Sequence, residues 1–319
     1  MDFRTRAYNN FKLNTKTLSS IIKSSNEERL KGEAEYYLNL PDNLKIFFPR
    51  TLSHSLNAPY KLELEYYAYD NLGNAMFTNK NQVFWKKTFD FISNYIDSYK
   101  DSLKKKQDLD DLKLMYISKT ENEYFKLTNN FPEFQKLKDY SIIYLNNEPL
   151  LSFETVWERI REKLGSTIKN NYSHLIHGDL CFSNILYCEH PLTKDLILKF
   201  IDPRGVFGKT KFYGDFYYDL AKLSHSVNGG YEYFIYDNFH ISIKKNKINL
   251  NYKLDDNKTL INNVFNKFVT ENNFDLEKIK LLEGCIFIGM CARHYDDTNR
   301  QLAMYVTGLK ILNEYYKKI

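Results

Sequence analysis

The sequence predicts an α+β chain in two lobes: a small, shortened, β-containing lobe over residues 1–67, then a large, mainly helical lobe over residues 68–319. Three observations predict it. A β-branched run at Leu18–Lys23, a helical repeat after it and strict alternation over Tyr60–Tyr67 give strand, helix and strand in order. Beyond Tyr67 the apolar residues recur mostly at helical spacing. Between residues 174 and 222 that spacing is interrupted by carboxylates flanked by glycines and by one apolar strand.

Each element has its own signal. Leu18-Ser19-Ser20-Ile21-Ile22-Lys23 reads as a strand, and Ser25 with Glu28 three residues on reads as a capping box opening a helix. Leu30, Ala34, Tyr37 and Leu38 then share a helix face, which Pro41 ends. Leu62 and Leu64 alternate with Glu63 and Glu65 in the next strand. In the second lobe Phe89, Ile92, Tyr95, Ile96 and Tyr99 form an amphipathic face. Residues 102–111 are charged and expected in solvent. Val156, Ile160 and Leu164 mark a helix closed by Gly165, and Leu196–Ile201 is a strand. Residues 240–256 read as a polar surface excursion, and helices are expected over 258–271, 276–293 and 297–317.

Composition narrows the function classes. The chain is 43% hydrophobic, enough for an ordinary core, and its net charge of +5 is spread without a basic run, so a nucleic-acid partner is not expected. No apolar stretch nears the roughly 20 residues a membrane span needs, and Met1–Arg6 has no apolar signal region. A cytoplasmic chain with reduced cysteines is expected. Cys181, Cys188 and His190 lie close together, but their spacing matches no common zinc pairing, and buried thiols are the better reading.

The chemistry is written in one block: His177-Gly178-Asp179, then Asn184, then Lys199-Phe200-Ile201-Asp202-Pro203-Arg204-Gly205, then Gly214-Asp215 and Asp219-Leu220-Ala221-Lys222. Phosphoryl transfer needs a carboxylate to orient or accept the attacking hydroxyl, and hard oxygen ligands for Mg²⁺. Asp179 and Asn184 have the five-residue spacing of a base and a metal-holding amide in a kinase loop. Asp202 ends an apolar strand, where a metal-binding carboxylate is presented. His177 reads as a brace of the loop rather than a proton carrier, Asp219 as a hydrogen-bonding support of the same loop and Asp215 as a helix N-cap.

HGDLCFSNIL, FIDPRG and GDFYYDLAK together resemble the aminoglycoside phosphotransferase and choline kinase superfamily, whose fold is bilobal and protein-kinase-like. The match is strong over 175–225 and weak elsewhere. IDPRG and the following SVNGGY also resemble phosphotransferases of capsule and surface-polysaccharide clusters. The resemblance implies a kinase with Asp179 as base, Asn184 and Asp202 on magnesium, and ATP or another NTP as donor. It implies Lys23 and Glu33 as the pair that positions the nucleotide phosphates. It makes Glu65, Tyr66 and Tyr67 the hinge, whose backbone meets adenine. The first glycine is Gly32, already inside the first helix, so the usual Gly-rich phosphate cover is missing; Asn9-Asn10 and Asn14-Thr15 are the candidate turns in its place.

The acceptor is expected to be a small alcohol (a sugar, polyol or amino alcohol) bound against the helical lobe. Arg293, His294 and Asp297 are its candidate contacts; the alternative reading of the same cluster is a pair of ion pairs at a helix–helix junction, Arg293 with Asp297 and Asp296 with Arg300, each pair sharing a helix face. Tyr217, Tyr218 and Tyr231 are a candidate aromatic wall. A nucleotide-binding pseudokinase, and a protein kinase or nucleotidyl transferase on the same fold, are the competing readings. The oligomeric state and the acceptor's identity are not written in the sequence.

Overall fold

The computed structural model describes residues 10–13, 19–100, 104–168, 172–253 and 257–319. Its first sheet is antiparallel, in the order β1 (Asn10–Leu13), β2 (Ser20–Ser25), β4 (Tyr60–Glu65), β3 (Thr51–Ser55). The helix α1 (Glu28–Leu38) packs on it and buries Leu30, Ala34 and Tyr37, while Leu62 and Leu64 of β4 face inward. Each of these leucines contributes roughly 1.5–3 kcal/mol by leaving water.

The capping box does not form. Ser25 stays extended because β2 continues to it, opposite Tyr60, and its Oγ accepts from the Glu27 N–H at 3.1 Å. The helix therefore starts at Glu28 with Glu27 as an N-cap that makes no side-chain cap bond.

Asp70–Asn71 leaves the first sheet and pairs with Ile185–Glu189, which in turn pairs with Leu196–Phe200. The helix Gln82–Lys100 lays its predicted face, all five residues buried, against this unit, and the Tyr95 and Phe200 rings meet at 4.4 Å. The last strand thus ends on a packed aromatic base, which fixes where Asp202 emerges. The C-terminal region is helical over Lys258–Glu271, Leu276–Ile288 and Thr298–Tyr316. No helix among the described residues is long and apolar enough to cross a membrane.

Three expectations need correcting. Residues 240–256 contain a hairpin, Phe239–Lys244 with Lys247–Tyr252, not a free excursion. Its Ile241, Ile248 and Leu250 alternate inward, and it joins the hairpin Ile142–Leu145/Glu148–Leu151 in one sheet. The charged stretch 102–111 ends in a buried residue: Asp111 accepts from the Lys209 N–H at 2.6 Å and from the Thr210 hydroxyl. Helix Phe153–Thr167 runs two residues past Gly165, whose Cβ position faces open space and demands no left-handed turn.

Candidate active site

The HGD loop is held by a carboxylate that never reaches solvent. Asp219 accepts from the backbone N–H of His177 at 2.8 Å and of Gly178 at 2.7 Å. Burial nevertheless pushes its carboxyl up to about 7. Gly178 has φ +77°, and a Cβ there would lie 2.8 Å from the Arg204 Cβ, so this turn needs glycine both for conformation and for space.

His177 is fully buried, and its two nitrogens have opposite jobs. Nδ1 accepts from the Asp179 N–H at 3.2 Å, and Nε2 lies 3.0 Å from the Ile201 carbonyl, to which it must donate. That pattern fixes the neutral tautomer. Burial pushes its pKa down to about 4. The ring ties the Asp179 loop to the strand that leads to Asp202.

The metal-side residues gather beside this loop. Asn184 Nδ2 donates to the Asp179 carbonyl at 2.9 Å, and the Ile201 N–H donates to the Asn184 carbonyl at 3.0 Å. The Asn184 amide oxygen is left without a protein partner among the described residues. Asp202 sits at φ +57° with its side chain 40% exposed, and only Oδ1 is engaged by Lys23. An amide oxygen and a half-open carboxylate are the hard donors Mg²⁺ takes, so these residues fit that ion.

Lys23 Nζ bridges Glu33 Oε2 at 2.6 Å and Asp202 Oδ1 at 2.7 Å. Burial works against its charge, but the two carboxylates more than offset this and hold the ammonium above its ordinary value. Burial pushes the Glu33 carboxyl up to about 7 against the pull of Lys23. For Asp202, Lys23 outweighs burial and holds the carboxyl below its usual range.

The turn after Asp202 is locked onto α1. Gly205 has φ +74°, and a Cβ there would sit 2.3 Å from the Gly32 carbonyl oxygen. The helix carrying Glu33 and the turn carrying Asp202 therefore touch backbone to backbone.

At the hinge the three expected residues divide. The Glu65 N–H donates to Arg50 O and the Tyr66 N–H to Ser19 O, each at 2.9 Å, so neither N–H is open to a base. Among the described residues nothing pairs with the backbone of Tyr67. Asn14-Thr15 and Asn9 lie outside the described residues; Asn10 lies in β1.

No family model matches the sequence, and no curated protein does. Solved structures do. The GDP complex of wild-type aminoglycoside 2'-phosphotransferase-IIIa aligns with 99% of this chain and 91% of its own, at TM-score 0.51 and 12% identity. A glucosamine kinase aligns at TM-score 0.54 and 8% identity, over 94% of this chain and 75% of its own. A thermostable mutant of aminoglycoside phosphotransferase APH(4)-Ia, with AMP-PNP and hygromycin B, aligns at 0.53 and 7% identity, over 99% and 92%.

The fold is that of the aminoglycoside phosphotransferases.

In this phosphotransferase fold Asp179 opens onto a cavity of about 340 Å³. Its wall includes Arg29 from α1, Arg204 from the Asp202 turn, and Lys119, Lys222 and Arg293 from the helical lobe. Lys222 Nζ lies 2.9 Å from Asp179 Oδ1 and is itself buried. Sequence reasoning quoted Lys222 without a role, although its place three residues after Asp219 puts it on the same helix, next to the loop. Lys119 and Arg29 carried no sequence signal at all.

The expected acceptor contacts come apart. Arg293 lines the cavity, with its Nε 3.9 Å from Glu123, but His294 and Asp297 do not line it. The helix expected through 293 stops at Ile288, and Cys291–Arg293 is a separate short turn. Asp297 instead caps the last helix, accepting from the Arg300 N–H at 3.0 Å, so Arg293 and Asp297 share no helix face. The Asp296–Arg300 pair forms, at 3.0 Å. Of the three tyrosines, Tyr218 alone lines the cavity; the Tyr217 hydroxyl accepts from the Asp275 N–H, and Tyr231 packs on His225.

Proposed function

We propose that the chain is a small-molecule kinase that moves the γ-phosphate of ATP, or another nucleoside triphosphate, to an alcohol of a sugar, polyol or amino alcohol. In this reading residues 1–67 serve the nucleotide and residues 68–319 carry the base, the metal ligands and the acceptor. The observation that carries it is the clustering of Asp179, Asn184, Asp202 and the Lys23–Glu33 pair around one loop, with Asp179 also opening on a cavity. The fold relatives, solved with GDP or AMP-PNP, support a nucleotide donor. IDPRG and SVNGGY favour a cytoplasmic role in capsular or surface-polysaccharide biosynthesis. Neither nucleic acid nor membrane insertion enters the reading.

Asp179 takes the proton of the acceptor hydroxyl as its oxygen bonds to the γ-phosphorus, and the bond to the β-phosphate oxygen breaks to release the nucleoside diphosphate. Lys222 fixes the carboxylate's direction. Lys23 holds Asp202 in place and supplies a buried positive charge beside the phosphates. Asn184 and Asp202 would hold Mg²⁺, which when bound offsets phosphate charge. His177, locked neutral, keeps the loop in register and carries no proton.

The test uses ATP labelled at the γ- or α-phosphate, with a panel of alcohols, with and without EDTA. Transfer of the γ-label alone, abolished by EDTA and by Asp179→Asn, is the expected result. Transfer of the α-label would make the chain a nucleotidyl transferase. Nucleotide binding without any transfer would make it a pseudokinase.

A further inference from the structure

We infer that the acceptor is an anion: an alcohol that already carries a phosphate or a carboxylate. This rests on the kinase reading above and narrows it, against amino alcohols and aminoglycosides.

The inference comes from the charges around Asp179. Five cationic side chains line the cavity, Arg29, Lys119, Arg204, Lys222 and Arg293, against two carboxylates, Glu28 and Asp179. Lys222 is committed to Asp179. Among the described residues neither Lys119 nor Arg204 has a carboxylate within ion-pair distance, although the more distant charge of Asp179 acts on Lys119. Both converge on one neutral atom: Lys119 Nζ and Arg204 Nη1 each donate to the Tyr218 phenol oxygen at 3.3 Å. Two cations sharing one weak acceptor is an unfavourable arrangement unless an anion completes it. Burial, and then the charges of Arg204, Arg293 and Lys222, push Lys119 well below its ordinary pKa.

The donor's phosphates do not explain these cations. The nucleotide side has its own ammonium, Lys23, saturated by Glu33 and Asp202. Lys119 and Arg293 instead line the cavity with Ile286, Gly289 and Met290 of the helical lobe. An amine-rich acceptor would meet like charge there, which costs binding. A phosphate or carboxylate placed between Lys119 and Arg204 would satisfy both, and would leave a hydroxyl of the same molecule free to reach Asp179.

The experiment compares matched acceptors with the intact chain and Mg·ATP: glucose, glucose 6-phosphate, glucuronate and glucosamine, and glycerol beside glycerol 3-phosphate. The expected result is a kcat/KM about tenfold or more higher for the anionic member of each set. The phosphate and carboxylate arms tell the two anions apart. Lys119→Gln and Arg204→Gln should each raise the KM for the anionic acceptor by about tenfold or more, with a much smaller change in the KM for ATP. Arg204→Lys, which keeps the charge, should restore part of the loss. Preference for the neutral or aminated member overturns the inference and leaves the kinase reading standing. So does a KM change confined to ATP.

Calorimetry with glycerol 3-phosphate separates the two claims where no alcohol is phosphorylated. Binding to the intact chain that is lost in Lys119→Gln upholds the anion site while the kinase reading falls. No binding sinks both.

Discussion

The two sides of the cleft treat charge in opposite ways. On the side proposed for the nucleotide one buried ammonium, Lys23, stands between two carboxylates at 2.6 and 2.7 Å, so negative charge is in excess there. On the side proposed for the acceptor Lys119 and Arg204 share one phenol oxygen, while Lys222 is held by Asp179 at 2.9 Å and Arg293 stands 3.9 Å from Glu123. The first arrangement is preassembled around its cation, with Asp202 still 40% exposed. The second is short of negative charge, and its ligand is the missing component.

The largest effect should come from removing the carboxylates where the two sides meet. Asp179→Asn and Asp202→Asn should each lower kcat by about a thousandfold, within the range of about 10²–10⁴ that a positioned proton acceptor supplies. Initial rates of nucleoside diphosphate release check this, and a loss under about tenfold would remove either residue from the chemistry.

Next is the side built around Lys23. Lys23→Met leaves Glu33 and Asp202 facing each other unpaired, and should raise the KM for the nucleotide by about 10–100-fold. The KM for the acceptor should move far less. Equal changes in both would mean the two sides are not separable, contrary to the contrast drawn above.

A backbone test follows. Gly205→Ala forces a side chain into a left-handed position and against the Gly32 carbonyl, and should cost about 1–3 kcal/mol in a denaturant titration. Because the contact joins the Asp202 turn to α1, the nucleotide KM should rise along with the loss of stability. An unchanged stability would show that α1 and the turn are not in contact.

The smallest effect concerns the floor behind the acceptor side. Burial pushes Glu283 from its ordinary 4.5 up to about 8, with the Ser224 hydroxyl donating to it at 2.5 Å. The folded state therefore prefers the protonated acid. The stability this contributes is complete below pH 4.5 and is lost as the pH rises to about 8. Glu283→Gln should flatten that decline, as read from urea midpoints across the same range. A steeper decline in the variant would contradict the assignment.

The shape of the HGD loop was legible because its residues are close in sequence and each has a distinct chemistry. HGD, Asn at plus five and an Asp after an apolar strand specify a local shape. Lys23 and Glu33 were legible only through resemblance, and the structure explains why they meet: β2 and α1 are consecutive and packed together. The polar hairpin at 239–252 was missed because its exposed Lys and Asn positions mask an inward alternation of Ile and Leu. The acceptor wall was not legible at all. Lys119, Arg204 and Arg293 are separated by 85 or more residues and meet only through the packing of helices. His294 and Asp297 were misplaced for a related reason: the chain breaks at Gly289, and residues after it cannot be read on the helix before it.

The imidazole of His177 has one more consequence. Its two nitrogens are bonded to residue 179 on one side and residue 201 on the other. A flat aromatic ring cannot stretch, so it works as a gauge block that sets the gap between the jaw holding the base and the jaw holding the metal ligand. A glutamine could offer similar donors and acceptors, but its torsions would let that gap drift. What the chain gains from a histidine here is a fixed length.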